Sequence, residues 1–431
     1  MLVPDRPWEG NVAGSYPTVL YDSRERLFKC WYEGRPARPG MLSNICYAVS
    51  PDGVQWEKPD LGIVTFERSR RNNIVLRSRR KSSPLVGANV VYRPRADPPY
   101  RLVYWDEIPG LGQGYCTADS EDGIRWTPHS DNPVFQTPLD RTRDSNDDVL
   151  SASWDPRRRR YVAWSRTIVT ENLIRPQKQR SVPCDFFERV VCQIRSRDGV
   201  RWSPLRVVLE PNLSDPPDTQ LYGMSGMVQP DGSMVGFLFV SHWNRGTIDI
   251  ELAYSPDGEL WSRVMPGHPI LENGRRGSWN CGIIHVAASP FIVENNLHVY
   301  HSGLSRLHAP HNKGIEGRFS MGLATAKGGR LVGIRAGKEG GKCILRQIEW
   351  TGQSIVLNAN ARRGEIRVGL RDDCFEFYKG YDSASSIPFR RDAVDHTVQW
   401  KHGRDLACLK GKPVYIQVEM ESAELYEVHT V

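Results

Sequence analysis

The residues of this chain best suited to chemistry are carboxylates at the edges of apolar runs: Glu33 in WYEG, Asp106 and Glu107 in YWDE, and Asp147 in TRDSNDDVL. Paired carboxylates can divide general-acid and general-base work, or one can attack while the other protonates a leaving group. At comparable boundaries stand Trp8 and Glu9 in PWEG, Arg143 just before Asp147, Arg166 in WSR and Asp218 in DTQLY. His242 in SHWN, Trp279 and Asn280 in GSWNCG, and His301 in YHSG complete the set. Indole faces stack on sugar rings, polar side chains hydrogen-bond hydroxyls, and two acids can cleave a glycosidic bond, so the set suits a carbohydrate site. For any one acid the structural alternative is a loop cap. The spacings that announce other chemistry are missing: there is no HExxH, no clustered Cys/His, no GxSxG and no Walker loop. Neither a metal nor a cofactor is expected.

These residues are scattered over some 300 positions, so a fold must gather them, and the sequence announces one. SPDGVQW at 50–56 returns as SEDGIRW at 120–126, SRDGVRW at 196–202 and SPDGELW at 255–261. An internal repeat outranks any local motif as a guide to architecture. Each copy is preceded by a strand, a charged turn and two further strands, as in SYPTVLYDSRERLFKCWYEG followed by NICYAV. Asp-Gly between β-prone runs is a hairpin signal, with both turn positions able to take positive φ. The Trp three residues beyond Gly (Trp56, Trp126, Trp202, Trp261) should pack between neighbouring sheets, and VQWEKP should begin a fourth strand. A fifth, degraded unit runs from AASPFIVENNLHVYHSG to MGLATAKGGRLVGI. The expected fold is all-β: a five-bladed β-propeller over 1–345, then a C-terminal β-sandwich over 346–431, where alternating strands lack the heptapeptide.

Strand order then sorts the polar residues. With the first strand of each blade innermost, the heptapeptide turns and the first-to-second strand turns share the bottom face. The starts of first strands and ends of second strands converge on the top, around the axis. The carboxylates and the candidate binding residues above belong to the top. RRRR at 157–160 and Asp155 belong to the bottom, away from an axial pocket. Arg68, Arg70, Arg71, Arg77, Arg79 and Arg80 lie between the first two blades, at the top, and make an anionic sugar a candidate substrate.

Bulk properties agree. Thirteen Trp, 38 Gly and 30 Pro suit a turn-rich β protein with large aromatic packing units. The net charge of +7 comes from arginine runs without a nucleic-acid fold signature, so no nucleic-acid partner is expected. No apolar run approaches the length of a membrane helix, and no membrane partner is expected. The start MLVPDRPWEG lacks a charged and then apolar leader, and the nine scattered cysteines form no CxxC pair. The expectation is a cytoplasmic protein with reduced thiols.

The chain resembles the five-bladed β-propeller glycoside hydrolases, the family 32/43-like group that includes invertases, fructanases, arabinanases and mannosyl phosphorylases. The resemblance is carried by PWEG…YPTVLYD…FKCWYEG, CYAVSPDGVQWEKPDLGIVTFERSRRNNIVL, NDDVLSASWDPRRRRYVAW, GSWNCGIIH and SIVLNANARRGEIRVGLRD. It implies three acids at the inner ends of the first blades. Asp147 matches one of them, with Asn146 where such relatives have His. Asn280 and Gln220 stand where they have acids, and the WMNDPNG-type start, the RDP and the EC elements are absent. The activity implied is glycosidic-bond hydrolysis, with Asp147 as nucleophile or base, Asp106 or Glu107 as acid and Glu33 tuning or holding a hydroxyl. Arg166 and His242 would orient substrate, and Trp8 and Trp279 would stack on it. A glycan-binding protein without catalysis and a glycoside phosphorylase are the alternatives.

Overall fold

The computed structural model describes residues 1–37, 42–78, 85–136, 145–169, 188–308, 317–401 and 405–431; the side chains of 145–147 and 169 lie outside that description. Arg79, Arg80, Arg143 and Asp144 fall outside it altogether. The fold is a β-propeller, nearly all strand; among the described residues the helical element is a single 3-10 turn, Leu406–Leu409. Two compact units emerge, Met1–Phe291 with His298–Ala324, and Ile292–Leu297 with Thr325–Val431. The change of sequence pattern near 345 lies inside the second.

In the first unit the repeat units are laid down in chain order, the first three as separate antiparallel sheets and the last two joined into one eight-stranded sheet by a parallel pairing. The first holds β1 (Thr18–Asp22), β2 (Leu27–Gly34), β3 (Asn44–Ser50) and β4 (Ile74–Arg77). The second holds β5 (Val86–Tyr92), β6 (Tyr100–Ile108), β7 (Gly112–Ser120) and β8 (Thr127–Pro128). Next come β9 (Ser145–Asp155), β10 (Arg160–Val169), β11 (Glu188–Ser196) and β12 (Arg206–Leu209). They are followed by β13 (Thr219–Val228), β14 (Met234–His242), β15 (Thr247–Ser255) and β16 (Ser262–Arg263). The last strands are β17 (Ile283–Val286), β18 (Phe291–Val293), β19 (Asn296–Leu304) and β20 (Phe319–Lys327), with β19 pairing β17, β18 and β20.

The first strands face one another around the axis, where most of their edges toward the axis carry no full ladder among the described residues; β17 pairs in parallel with β15, and Thr18 of β1 bridges Ala288. Hydroxyls supply further partners. Thr18 Oγ1 donates to the Ala88 carbonyl, Ser153 Oγ to that of Gly226, and Ser225 Oγ to that of Val286. The Ala288 amide donates to the Pro17 carbonyl, which brings the last inner strand back to the first. The N-terminus adds a further link, because Leu2 bridges Met321 of β20 and Val12 bridges Phe319.

The heptapeptide does its work between sheets. In each copy the Asp carboxylate accepts from the two backbone amides two and three residues on, and the Ser hydroxyl donates to that same Asp. Only the glycines, Gly53, Gly123, Gly199 and Gly258, take positive φ, at 72–74°; the Asp residues do not. The turn is therefore an Asp-capped loop, not the two-residue hairpin expected from Asp-Gly, because the carboxylate captures amides that a hairpin would pair across strands. The Gly must be Gly: a Cβ on Gly123 would lie 2.8 Å from the Trp31 indole of the preceding sheet. Trp31 Nε1 donates to the Gly123 carbonyl at 2.6 Å, and Tyr300 Oη donates to that of Gly53 at 2.9 Å. Trp56, Trp126, Trp202 and Trp261 each pack against a core that lies between consecutive sheets. In VQWEKP only Glu57 pairs with the third strand, exchanging two hydrogen bonds with Val49; the longer fourth strand is Ile74–Arg77. Pro59 cannot donate and restricts Lys58 before it.

The second unit holds β21 (Ile334–Ala336), β22 (Gly341–Ile344), β23 (Ile348–Glu349), β24 (Ile355–Asn360), β25 (Glu365–Arg371), β26 (Asp392–Thr397), β27 (Pro413–Glu421) and β28 (Ala423–Thr430). One sheet runs β21-β28-β24-β26; in the other, β27 pairs β22, β23 and β25. Trp350, Ile355, Leu357, Val368, Leu370, Tyr381, Trp400 and Val418, from strands of both sheets and their loops, share one core.

Candidate active site

Four inner strands bring a side chain to the axis near their beginnings: Tyr16 two residues before β1, Asp148 and Tyr222 fourth in β9 and β13, and His285 third in β17. Second strands add Glu33 near the end of β2, with Arg35 just beyond, and Arg166 in β10. The Tyr16 and His285 rings stack at 4.5 Å and the His285 and Tyr222 rings at 5.6 Å, each pair 14° from parallel. The Arg166 guanidinium lies 4.2 Å from the Tyr222 ring centre, so a cation covers the stack. Tyr16 holds a φ of 40°, a strained value for a residue with a side chain.

The charges are arranged in two pairs. Glu33 is fully buried; Arg35 Nη2 donates to its Oε2 at 2.9 Å and the Gly87 amide to its Oε1 at 2.6 Å. Gly87 reaches that position with a φ of 76°. Arg166 Nη2 donates to Asp148 Oδ1 at 2.7 Å, an ion pair with Arg166 buried and Asp148 one-third exposed. Burial pushes the Glu33 carboxyl above the ordinary Glu value; the nearby Asp148 charge adds to this, while Arg35 and the Gly87 amide oppose it. The His285 imidazole is pushed well below its ordinary value by burial, then by Arg166 and His308, so it is neutral. The Tyr16 phenol is pushed well up, chiefly by burial, and keeps its proton. One buried carboxyl whose pKa is raised, within electrostatic range of a second carboxylate held by arginine, is an arrangement able to divide acid and base roles.

The sequence-derived candidates distribute unevenly around this cluster. Glu33 and Arg166 are in it. Asp147 belongs to the backbone of β9, beside Asp148, and its side chain lies outside the described residues. Asp106 is buried and accepts from Ser78 Oγ at 2.8 Å and the Glu107 amide at 2.9 Å; Glu107 is half-buried next to it. Glu9 is fully buried and engaged elsewhere: Tyr32 Oη donates to Oε1 at 2.6 Å, Lys58 Nζ lies 2.7 Å away, and the Asp5 and Arg6 amides donate to Oε2. Trp8 donates to Asn73 Oδ1 at 2.7 Å with its ring edge-on to Phe66.

On the later sheets, Asp218 Oδ2 accepts from the Asn244 amide, a loop cap. His242 Nε2 is 2.9 Å from Asp249 Oδ2, and that hydrogen bond raises the His242 pKa above its ordinary value. Trp279 is 40 % exposed and rests on His301, ring centres 5.5 Å apart. Its indole fills space above Gly303 and Gly322, where added Cβ atoms would lie 2.4 and 2.5 Å from the ring. His301 is buried, which lowers its pKa, and Asn280 Oδ1 accepts from Ser278 Oγ. Arg77 lies over Phe66 and donates to the Thr65 carbonyl; Arg71 pairs with Asp60 at 3.4 Å in solvent. Arg68 stands at a positive φ of 71° and Arg70 Nε donates to Thr65 Oγ1.

Tyr16, Arg35, Tyr222 and His285 did not stand out in the sequence, and Asp148 stood there only as a neighbour of Asp147. Tyr16, Asp148, Tyr222 and His285 lie near the beginnings of inner strands but not at one shared position: two residues before β1, fourth in β9 and β13, third in β17.

No protein-family profile matches the chain, and no curated protein sequence does. Among solved structures it is similar to an N-acetylgalactosamine deacetylase from F. plautii in complex with blood group B trisaccharide, at TM-score 0.50 and 16 % identity over 76 % of this chain and 92 % of the other. A BT0996 complex with RGII gives TM-score 0.50 and 13 % identity over 76 % and 92 %. A thermostable family-43 glycoside hydrolase gives TM-score 0.49 and 12 % identity over 75 % and 92 %. What the chain shares with the first two is the fold.

Proposed function

We propose that the chain is a carbohydrate-active enzyme, a glycoside hydrolase that works at the axial cluster, with Glu33 as general acid and Asp148 as the second carboxylate. In this reading the first unit is a five-bladed propeller and the second a β-sandwich. The sequence pattern divides the chain at 345/346, later than the units, because β21 and β22 already pair with strands of the second unit. The carrying observation is the difference in environment of Glu33, fully buried with a raised pKa, and Asp148, one-third exposed and ion-paired with Arg166, whose charge reaches Glu33. The fold shared with a protein solved in complex with a trisaccharide supports a sugar as substrate. An anionic sugar would have to compete with Glu33 and Asp148 for Arg35 and Arg166, and Trp279, with one indole face seated on glycines, suits stacking on a ring. Asp147 remains a candidate nucleophile or base and Asp106 and Glu107 candidate acids. Localisation in the cytoplasm belongs to the same proposal.

A second reading has its own support. Both carboxylates are already ion-paired, with Arg35 and Arg166, and a satisfied site of this kind also suits a glycan-binding protein. The two arginines would equally cradle phosphate in a phosphorylase.

The test is turnover of a panel of aryl glycosides and oligosaccharides by the wild type, Glu33→Gln, Asp148→Asn and Asp147→Asn, each with a melting curve. Loss of about 10²–10⁴ in kcat for Glu33→Gln and Asp148→Asn with melting unchanged is expected. Loss confined to Asp147→Asn would move the base to that residue. Binding without turnover in the wild type would establish the binding-protein reading, and turnover that requires inorganic phosphate the phosphorylase.

A further inference from the structure

The heptapeptide has three positions that its turn geometry leaves open, the second, fifth and sixth. In the first copy the second and sixth are Pro51 and Gln55, in the second Glu121 and Arg125, in the fourth Pro256 and Leu260. The third copy places arginine at both, Arg197 and Arg201, and both are exposed. The turn does not need them: Ser196, Asp198 and Gly199 make the same hydrogen bonds as their counterparts.

These two arginines share a cavity of about 430 Å³ with Arg160, Arg195, Ser196 and Asp198. Arg160 is the last residue of RRRR, the run that the axial site does not use. The surrounding carboxylates are too few for the guanidiniums. Glu259 alone serves Arg195 at 2.6 Å, Arg160 at 3.4 Å and Arg206. Asp155 sits 3.0 Å from Arg158 and 3.8 Å from Arg160, and Asp198 lies 3.8 Å from Arg201. Arg197 has no ion pair among the described residues, and Arg160 Nε is buried without a hydrogen-bond partner. Burial, and after it the like charge of Arg195, lowers the Arg160 pKa, with Glu259 and Asp155 opposing the shift.

We propose that this cavity, on the face opposite the axial carboxylates, is an oxyanion site that takes a phosphate or sulfate group. Guanidinium groups offer several N–H donors in a fixed fork, the geometry that a tetrahedral oxyanion accepts. Glu259 is an internal competitor: it occupies donors of Arg160 and Arg195 that the anion would otherwise use. The inference is independent of any activity at the axis.

The test is calorimetric titration of the full chain with inorganic phosphate, inorganic sulfate and a sulfated disaccharide, at constant ionic strength set with sodium chloride. Saturable binding is expected. The pair Arg197→Ser and Arg201→Ser, both exposed and dispensable for the turn, should raise Kd by roughly tenfold or more with melting unchanged. Glu259→Gln should lower Kd several-fold. A disaccharide that binds far more tightly than free sulfate identifies a substituted glycan as the source, and equal affinity identifies the free ion. Absence of saturable heat with all three probes overturns the proposal, and so does a Kd unmoved by the double arginine change.

Discussion

At the residue scale, the chemistry turns on what burial does to Glu33. Its pKa is raised, so the proton that a general acid must carry stays bound to a higher pH than on a free glutamate. Activity limited by that proton should be flat at low pH and fall as pH rises through the raised value, the alkaline limb of kcat/KM. The same sign applies to stability. The contribution of protonated Glu33 is fully present below the unfolded pKa and lost as pH rises through the folded one. A pH–rate profile without an alkaline limb would remove Glu33 as the acid. Trp279 makes a separate prediction. Trp279→Ala should raise KM for a stacking sugar roughly 2- to 10-fold and leave kcat alone. Gly303→Ala, whose methyl would lie 2.4 Å from the indole, should have the same effect by displacing the ring.

At the element scale, the heptapeptide turn is the unit that repeats, and its Asp does the capping. Asp122 accepts from the amides of Ile124 and Arg125 at 2.8 and 2.7 Å. Asp122→Ala should therefore cost about 1 kcal/mol, read as a shift in urea midpoint. The capping hydrogen bonds hold Asp122 and Asp198 below the ordinary Asp value although burial alone would raise them. Their contribution is thus present above the unfolded pKa of about 3.9 and lost as pH falls through the lower folded value. Asp122→Asn should flatten that acid limb of stability. The repeat and its Trp were legible in the sequence because turn chemistry is local. The turn type was not, because whether Asp takes positive φ or instead captures amides depends on the docking of its Gly carbonyl on the preceding sheet. At VQWEKP the pairing with the third strand stops after Glu57, and Lys58 beyond it is drawn to Glu9 and Asp5.

At the scale of the whole molecule, the first unit returns on itself, and the N-terminus takes part. Leu2 is buried beside Met321 and Met1 donates its ammonium to the Val54 carbonyl. Leu2→Ala should lower stability by about 2–4 kcal/mol, as for a core leucine and not a frayed terminus. An unchanged melting curve would show that this strand does not hold the last sheet.

Periodicity, turn residues and the repeated Trp are written locally, and by themselves they determined an all-β chain of repeated four-stranded units with acids at strand ends. Which acids meet was decided by tertiary structure. Glu9 and Glu33 look alike in PWEG and WYEG, but Lys58 and Tyr32 claim the first, while Arg35 and the Gly87 amide hold the second within range of the Asp148 charge. His285 reads as one polar letter in the apolar run GIIHVAA, yet the return of the last inner strand to the first slides its ring between Tyr16 and Tyr222. Those encounters join residues separated by up to 269 positions. No local propensity encodes them, because they exist only once the sheets close around a common axis.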